Sequence, residues 1–116
     1  MPSSEDYTVV WAGVYRRLRD FDVEEESETP LERRARNAGL QTWRDVFEVD
    51  AVRGDVPCVL VGRQVALLGY KEGRTRFAAT PTRLSAILRT IAGRLRSIGV
   101  HTPPRLHVLV HIEDEE

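Results

Sequence analysis

The segment from Thr80 to Gly99 constrains the fold most strongly, because it carries a complete set of helix signals. Thr80 is a suitable N-cap, since its hydroxyl can accept a hydrogen bond from an amide of the first turn, and Pro81 fits the first helical position. Apolar residues then recur at the spacing of one helix face, and these are Leu84, Ile87, Leu88, Ile91, Ala92, Leu95 and Ile98. Gly99 suits the left-handed position that follows a helix. The sequence therefore predicts a helix of roughly 27 Å, long enough to cross a small sheet once.

A second helix is predicted near the start of the chain, over residues 4–20. Its apolar residues follow nearly the same period, and these are Tyr7, Val10, Trp11, Val14, Leu18 and Phe21. Acidic residues occupy its first turn and arginines its last, which matches the helix dipole. A strand from Thr8 to Val14 is the competing interpretation, because Val9 and Val10 are β-branched.

An acidic loop and a short helix follow. Residues 20–29 carry six acids and no base, which predicts a solvated loop. Thr29 and Glu32 have the spacing of a capping box, and Pro30 stands between them at the first helical position. This pattern predicts a short helix that ends at Gly39.

From Val46 the apolar period changes to two, which predicts a meander of four strands. The predicted strands are 46–51, 57–61, 65–70 and 75–79. Glycine-containing turns join them at Arg53–Asp55, at Gly62–Arg63 and at 71–74. After the long helix, alternation from Leu106 to Ile112 predicts a last strand, and a helical crossover allows it to lie parallel to the strand it joins.

These elements predict one α+β domain over residues 1–116, in the order α-α-β-β-β-β-α-β. We expect a mostly antiparallel sheet of four to five strands, covered on one face by the N-terminal helix and the long helix. A length of 116 residues suits a single domain.

Three features bear on the compartment. Cys58 is the only cysteine, so the chain cannot form an internal disulfide. No apolar run approaches the length of about 18 residues that spans a membrane. The first residues lack the basic and apolar regions of a signal peptide. We predict a cytoplasmic protein without a membrane partner, or a virion protein if the chain serves a phage.

Charges are segregated along the chain. Residues 73–112 contain seven arginines and no acid, whereas most acids lie in the first 32 residues or in the acidic tail at 113–116. The candidate partner-binding residues are six of these arginines and a tryptophan near the start of the sheet, namely Arg74, Arg76, Arg83, Arg89, Arg94, Arg96 and Trp43. Acids of the same chain, acids of another copy, or nucleic acid can meet the arginines. A net charge of −1 and the lone aromatic Phe77 in this region weigh against nucleic acid.

Catalytic patterns are sparse. His107 and His111 share a strand face, but a separation of roughly 13 Å is too long for two ligands of one metal ion. Cys58 lies in an apolar strand, where cysteine usually acts as a small hydrophobe. Glu48 and Asp50 could hold a divalent cation, which keeps a metal-dependent nuclease as an alternative. We predict no cofactor, no metal and no small-molecule ligand.

The sequence favours a non-enzymatic structural or interaction protein that works in a homo-oligomer or a larger assembly. Small phage tail-completion and tail-terminator proteins have a similar order of helices and strands and form rings, so a phage-type assembly component is one concrete form. This likeness is one of layout and assigns no residue a role. A nucleic-acid-binding regulator that uses the arginines of 73–112 is the alternative function.

Overall fold

The computed structural model describes residues 6–18, 27–50, 54–69 and 76–111, with the backbone alone at 45–50 and 54–56. Two helices and four strands make up this part of the chain. In chain order they are β1 (Tyr7–Arg17), α1 (Pro30–Asn37), β2 (Gln41–Asp50), β3 (Gly54–Gly69), α2 (Pro81–Ser97) and β4 (Arg105–His111). The predicted α+β class and antiparallel sheet are confirmed.

The sheet has the strand order β2-β3-β1-β4, and each neighbouring pair is antiparallel. Combined with the element order β-α-β-β-α-β, this is the split β-α-β arrangement of ferredoxin-like folds. Each helix carries the chain across one intervening strand. The idea that the last strand lies parallel to its neighbour is therefore wrong. β4 runs parallel to β3, where the crossover begins, but β1 lies between them.

The predicted helix over 4–20 is wrong, and the competing strand interpretation is correct. β1 is a central strand, paired with β3 on one side and β4 on the other, and both of its faces are covered by apolar side chains. A strand buried on both faces reads as a continuous apolar run rather than as an alternation. Trp11 and Val14, which fall together on a helical wheel, point to opposite faces of the sheet.

The predicted turn at Gly62–Arg63 is also wrong, because β3 passes straight through these residues. Gly62 lies directly opposite Gly13 of β1, where the two backbones approach closely. A Cβ atom on Gly62 would lie 2.6 Å from the Cα of Gly13, so the glycine serves close strand packing rather than a turn. The register shifts once between β1 and β3, which leaves Val65 as the extra residue of a bulge.

Two other predicted features of the meander change. Residues 76–79 form no strand, so the predicted fourth strand at 75–79 is wrong over the part that the structure describes. Gly54 and Asp55 belong to β3 rather than to a turn, since β3 begins at Gly54. Most of the predicted acidic loop at 20–29, the turn at 71–74 and the acidic tail at 113–116 lie outside the described residues.

Both remaining helices are confirmed, together with their caps. At α1, Thr29 accepts a hydrogen bond from the Glu32 amide at 3.2 Å and its own amide donates to the Glu32 carboxylate at 2.9 Å. At α2, Thr80 accepts from the Arg83 amide at 3.2 Å. Gly99 has a φ of 87°, the left-handed conformation expected after a helix.

Both helices pack on one face of the sheet, as predicted for the long helix α2, while α1 takes the place expected of the helix over 4–20. The core on this face joins buried side chains of β1, β3 and the two helices, and these are Ala12, Val14, Leu18, Ala35, Leu40, Val59, Val61, Ile91, Leu95 and Val100. The opposite face carries a second cluster around Val9, Trp11, Cys58 and Leu60, and no described helix belongs to it. The sheet is therefore apolar on both sides at its centre.

Candidate functional site at the β4 edge

β4 is an edge strand of the described sheet, bonded to β1 alone. Three of its apolar side chains lie on the helix-covered face, because they pair with Ala12, Val10 and Thr8 of β1. They are nevertheless exposed, at 38% for Leu106 and 64% for both Val108 and Val110. The helices cover the central strands and leave this row of β4 open. We call these three residues the β4 row.

The two edges of the sheet differ in how they are protected. Natural edge strands usually carry charges, prolines or bulges that prevent pairing with another chain. The β2 sequence contains four charged residues, Arg44, Asp45, Glu48 and Asp50. Between Leu106 and Val110, β4 contains no charged residue and no proline, and its pairing with β1 has no register shift. The unprotected edge is therefore β4.

Sequence reasoning missed the β4 row. The alternation from Leu106 to Ile112 predicted a strand with both histidines on one face, and it identified no exposed apolar row. The structure places the valine side in the open and packs the histidines against tyrosines. One signal was visible, namely the absence of any charge from Leu106 to Val110. The edge position of the strand was not visible in the sequence, because it depends on pairing with distant residues.

A cleft of about 570 Å³ adjoins the start of β4. β4 begins opposite Gly13, whereas β1 continues to Arg17, so the last residues of β1 extend past the end of β4. The cleft lies along this extension. Tyr15, Thr102, Arg105 and His107 contribute polar groups to its lining, and none of its described lining residues is acidic.

Hydrogen bonds hold the polar groups of this cleft in place. The Arg16 guanidinium donates to the Thr102 hydroxyl at 2.8 Å and to the Tyr15 carbonyl at 3.0 Å. His107 Nε2 lies 2.9 Å from the Gly13 carbonyl oxygen, so Nε2 carries a proton and donates. The His107 ring also packs on Tyr15, with centroids 4.5 Å apart. Burial raises the pKa of Tyr15, so its hydroxyl stays un-ionised at neutral pH.

Aromatic and imidazole rings line the face of the sheet opposite the helices. Tyr7 stacks on His111 with centroids 4.6 Å apart, and Trp11 lies 6.0 Å from Trp43 at a tilt of 52°. Trp11 is 4% exposed, and its Nε1 is buried without a hydrogen-bond partner. Trp43, the predicted partner anchor, is half-buried against this second core cluster.

The candidate arginines do not gather into one site. Arg94 donates to the carbonyls of Ala38 and Gly39 at 3.1 and 3.4 Å, which ties α2 to the C-terminal end of α1. The side chains of three other α2 arginines form no hydrogen bond or ion pair with described residues, and these are Arg83, Arg89 and Arg96. Arg76 is exposed in the segment before α2. Arg74 lies outside the described residues.

The described acids of α1 and the residues before it pair with arginines close to them in the sequence. Glu28 contacts Arg36 at 2.9 Å and Arg33 at 3.6 Å. Glu32 is buried and accepts from Arg44, whose Nε lies 2.8 Å from its carboxylate. These acids therefore do not neutralise the arginines of α2.

The Glu32–Arg44 pair should make folding stability sensitive to acid. Hydrogen bonds from Arg44, with a further contribution from Thr29, hold the pKa of Glu32 below its ordinary value of 4.5, although burial opposes the shift. A lowered pKa stabilises the fold above the unfolded-state value, and this contribution is lost as pH falls through the folded-state value. We expect the free energy of unfolding, measured in urea, to fall as the pH drops below about 4.5.

Glu32→Gln is the matched control for this pH dependence. At pH 7 we expect it to cost about 1–3 kcal/mol, because the ion pair between Glu32 and Arg44 is lost in a mostly buried site. Other carboxylates titrate in both proteins, so the difference between wild type and variant isolates Glu32. The difference should shrink as the pH falls, and parallel stability curves would contradict the assignment.

Among the described residues, the remaining candidates for metal binding or catalysis do not form a site. It holds no group of three His, Cys, Asp or Glu residues that could bind a metal ion. Burial raises the pKa of Cys58, which keeps the thiol protonated at neutral pH and weakens it as a nucleophile. The side chains of Glu48 and Asp50 are not described, so the nuclease alternative stays a prediction. No described helix combines the length and the apolarity that a membrane crossing needs.

Comparison with protein-family models, with curated proteins and with solved structures finds no match to this chain. The split β-α-β arrangement is shared by proteins of many functions and does not decide among them. The surfaces of this chain therefore carry the information about its function.

Proposed function

We propose that this protein is a non-enzymatic interaction protein that assembles with copies of itself through the β4 edge. The observation that carries this proposal is the exposed β4 row on a strand without charged protection. A second copy can extend the sheet by adding its own β4, which satisfies the open backbone groups of both strands.

The sequence of β4 suits antiparallel pairing with itself. Val108 is the midpoint of Arg105–His111, so a twofold axis there places Leu106 of one copy opposite Val110 of the other. The two β4 rows then form one apolar stripe on the same face of a continuous eight-stranded sheet. Such burial removes large apolar surface from water, which favours association.

A phage-type assembly is one setting for such a protein, and it stays a prediction. A ring needs a second, different contact on each copy, because a twofold edge contact closes on itself. Arg83, Arg89 and Arg96 of α2, which pair with no described residue, are candidates for that second contact.

Nucleic-acid binding is the second candidate, and the ring-lined face of the sheet favours it. Tyr7, Tyr15 and Trp43 are partly buried on that face, and the exposed part of an aromatic ring can stack with a base. The four arginines of α2 lie on the other side of the sheet, where the helices pack. A backbone-binding groove and a stacking platform therefore do not coincide, which weighs against this candidate.

The oligomeric state tests the proposal. We expect light scattering after size-exclusion chromatography to give at least twice the mass of one chain, at both low and high salt, because an apolar contact does not depend on screened charges. A protein that stays monomeric over the accessible concentration range, and that binds single-stranded oligonucleotides with a steep salt dependence, would replace the proposal with the second candidate.

A further inference from the structure

We infer that the cleft beside the start of β4 receives the acidic segment 113–116 of a second copy. This inference rests on the proposed β4 pairing and adds a second, electrostatic contact to it. The segment has the sequence Glu-Asp-Glu-Glu and follows β4 by one residue. The segment binds in the cleft lined by Tyr15, Thr102, Arg105 and His107.

Strand geometry favours a segment from another copy over the chain's own. Arg105 and His111 are at opposite ends of β4, about 20 Å apart at the rise of an extended strand. The chain's own acidic segment therefore starts far from its own cleft. Antiparallel pairing about Val108 places His111 of the second copy opposite Arg105. The acidic segment of that copy then begins beside the cleft.

Charge complementarity favours the same occupant. Arg105 is exposed at the cleft, and its side chain has no ion pair with a described residue. Arg16, fixed on Thr102, adds a second guanidinium. None of the described lining residues is acidic, and the described Glu28 and Glu32 are paired with other arginines. Because the segment is attached to the paired strand, its four carboxylates reach this site at high effective concentration.

The shape of the cleft suits an extended segment. β1 continues from Val14 to Arg17 beyond the start of β4, and the chain that precedes β4 contains Pro103 and Pro104, which cannot donate backbone hydrogen bonds. With pairing about Val108, the incoming segment runs past Arg105 and alongside Thr102 and Pro103, which line the cleft together with the end of β1. A volume of about 570 Å³ accommodates several side chains.

Disulfide trapping between two different variants tests the inference. Arg105→Cys and Asp114→Cys are prepared separately and mixed under mild oxidation, so that only a contact between copies can join them. The native Cys58 is buried and remains in both proteins. We expect mixed disulfide dimers to form at least about tenfold faster than from a mixture in which Thr82→Cys, an exposed position on α2, replaces Arg105→Cys.

Measurements of self-association provide a second test of the inference. We expect Arg105→Glu to weaken self-association by about tenfold at low salt and much less at high salt. Arg34→Glu, the same charge reversal at an exposed position of α1, should leave self-association unchanged. A dimer that forms normally but gives no trapping and no Arg105 effect would overturn the inference and leave the β4 pairing intact. A wild-type protein that stays monomeric would overturn both.

Discussion

Val108→Glu is expected to make the protein monomeric, with a dissociation constant raised by at least about 100-fold. Pairing about Val108 brings the two side chains of this position face to face across the twofold axis. Two carboxylates there would lose water and repel each other, whereas two valines bury apolar surface. Sedimentation equilibrium over a range of concentrations measures the change directly.

Two controls separate this effect from general damage. Val108 is 64% exposed in one copy, so the variant should keep the stability of the monomer within about 0.5 kcal/mol. Thr82→Glu adds the same charge at an exposed position in the first turn of α2 and should leave the dimer intact.

Val108→Thr keeps the β-branched shape and should weaken the dimer only about tenfold. Equal dimerisation of wild type and Val108→Glu would remove β4 as the contact.

Gly62→Ala is expected to produce the largest loss of folding stability, about 3 kcal/mol or more. The added methyl group would overlap the carbonyl oxygen of Ala12 and lie 2.6 Å from the Cα of Gly13. Both are backbone atoms of the central strand β1, so relief requires the two strands to separate. We expect the melting temperature to fall by roughly 10 °C.

Gly93→Ala is the matched control, because it makes the same chemical change in a different environment. Gly93 is exposed in α2, and a Cβ there would meet only the end of the Arg96 side chain, at 4.0 Å. Alanine favours a helix interior over glycine, so we expect a gain of about 0.5–1 kcal/mol. The two substitutions should therefore change the melting temperature in opposite directions. A small loss at Gly62, similar in size to the change at Gly93, would contradict the close packing of β1 and β3.

Local signals explain which elements could be predicted from the sequence. Thr29 and Thr80, with the residues that follow them, predict α1 and α2. Each capping side chain bonds to a residue three positions away. Such contacts lie within one short window of sequence. The end of β2 and the position of β4 were also close to expectation, because their alternation is local, whereas β2 begins at Gln41, before the predicted start at Val46.

β1 and Gly62 could not be predicted in the same way, since their meaning depends on distant residues. β1 is central only because β3 and β4 pair with it. Its apolar run then fits either a buried strand or an amphipathic helix. Gly62 is required by Gly13, some fifty residues earlier, and no local pattern shows that. A glycine followed by a polar residue therefore suggested a turn that does not exist.

Neither the charges nor the apolar row of the candidate site were predicted, since Arg16 and Arg105 at the cleft are not among the candidate partner-binding residues. The absence of acids in 73–112 pointed instead to the arginines of α2, three of which form no ion pair with described residues. The exposed β4 row follows from where the two helices lie, and this depends on the packing of the whole domain. Leu106 and Val110 would be ordinary core residues if a helix covered β4.

The central place of β1 has a consequence for synthesis on the ribosome. The first described strand finds its neighbours only in β3 and β4, and Tyr7 pairs with His111 at the far end of the described chain. The sheet therefore cannot be completed until β4 has left the exit tunnel, whereas α1 can form as soon as it emerges. Folding dominated by such distant pairings is slow. Until it is complete, the apolar faces of β1 are open to other chains, and nascent copies on neighbouring ribosomes are the nearest source of matching strands.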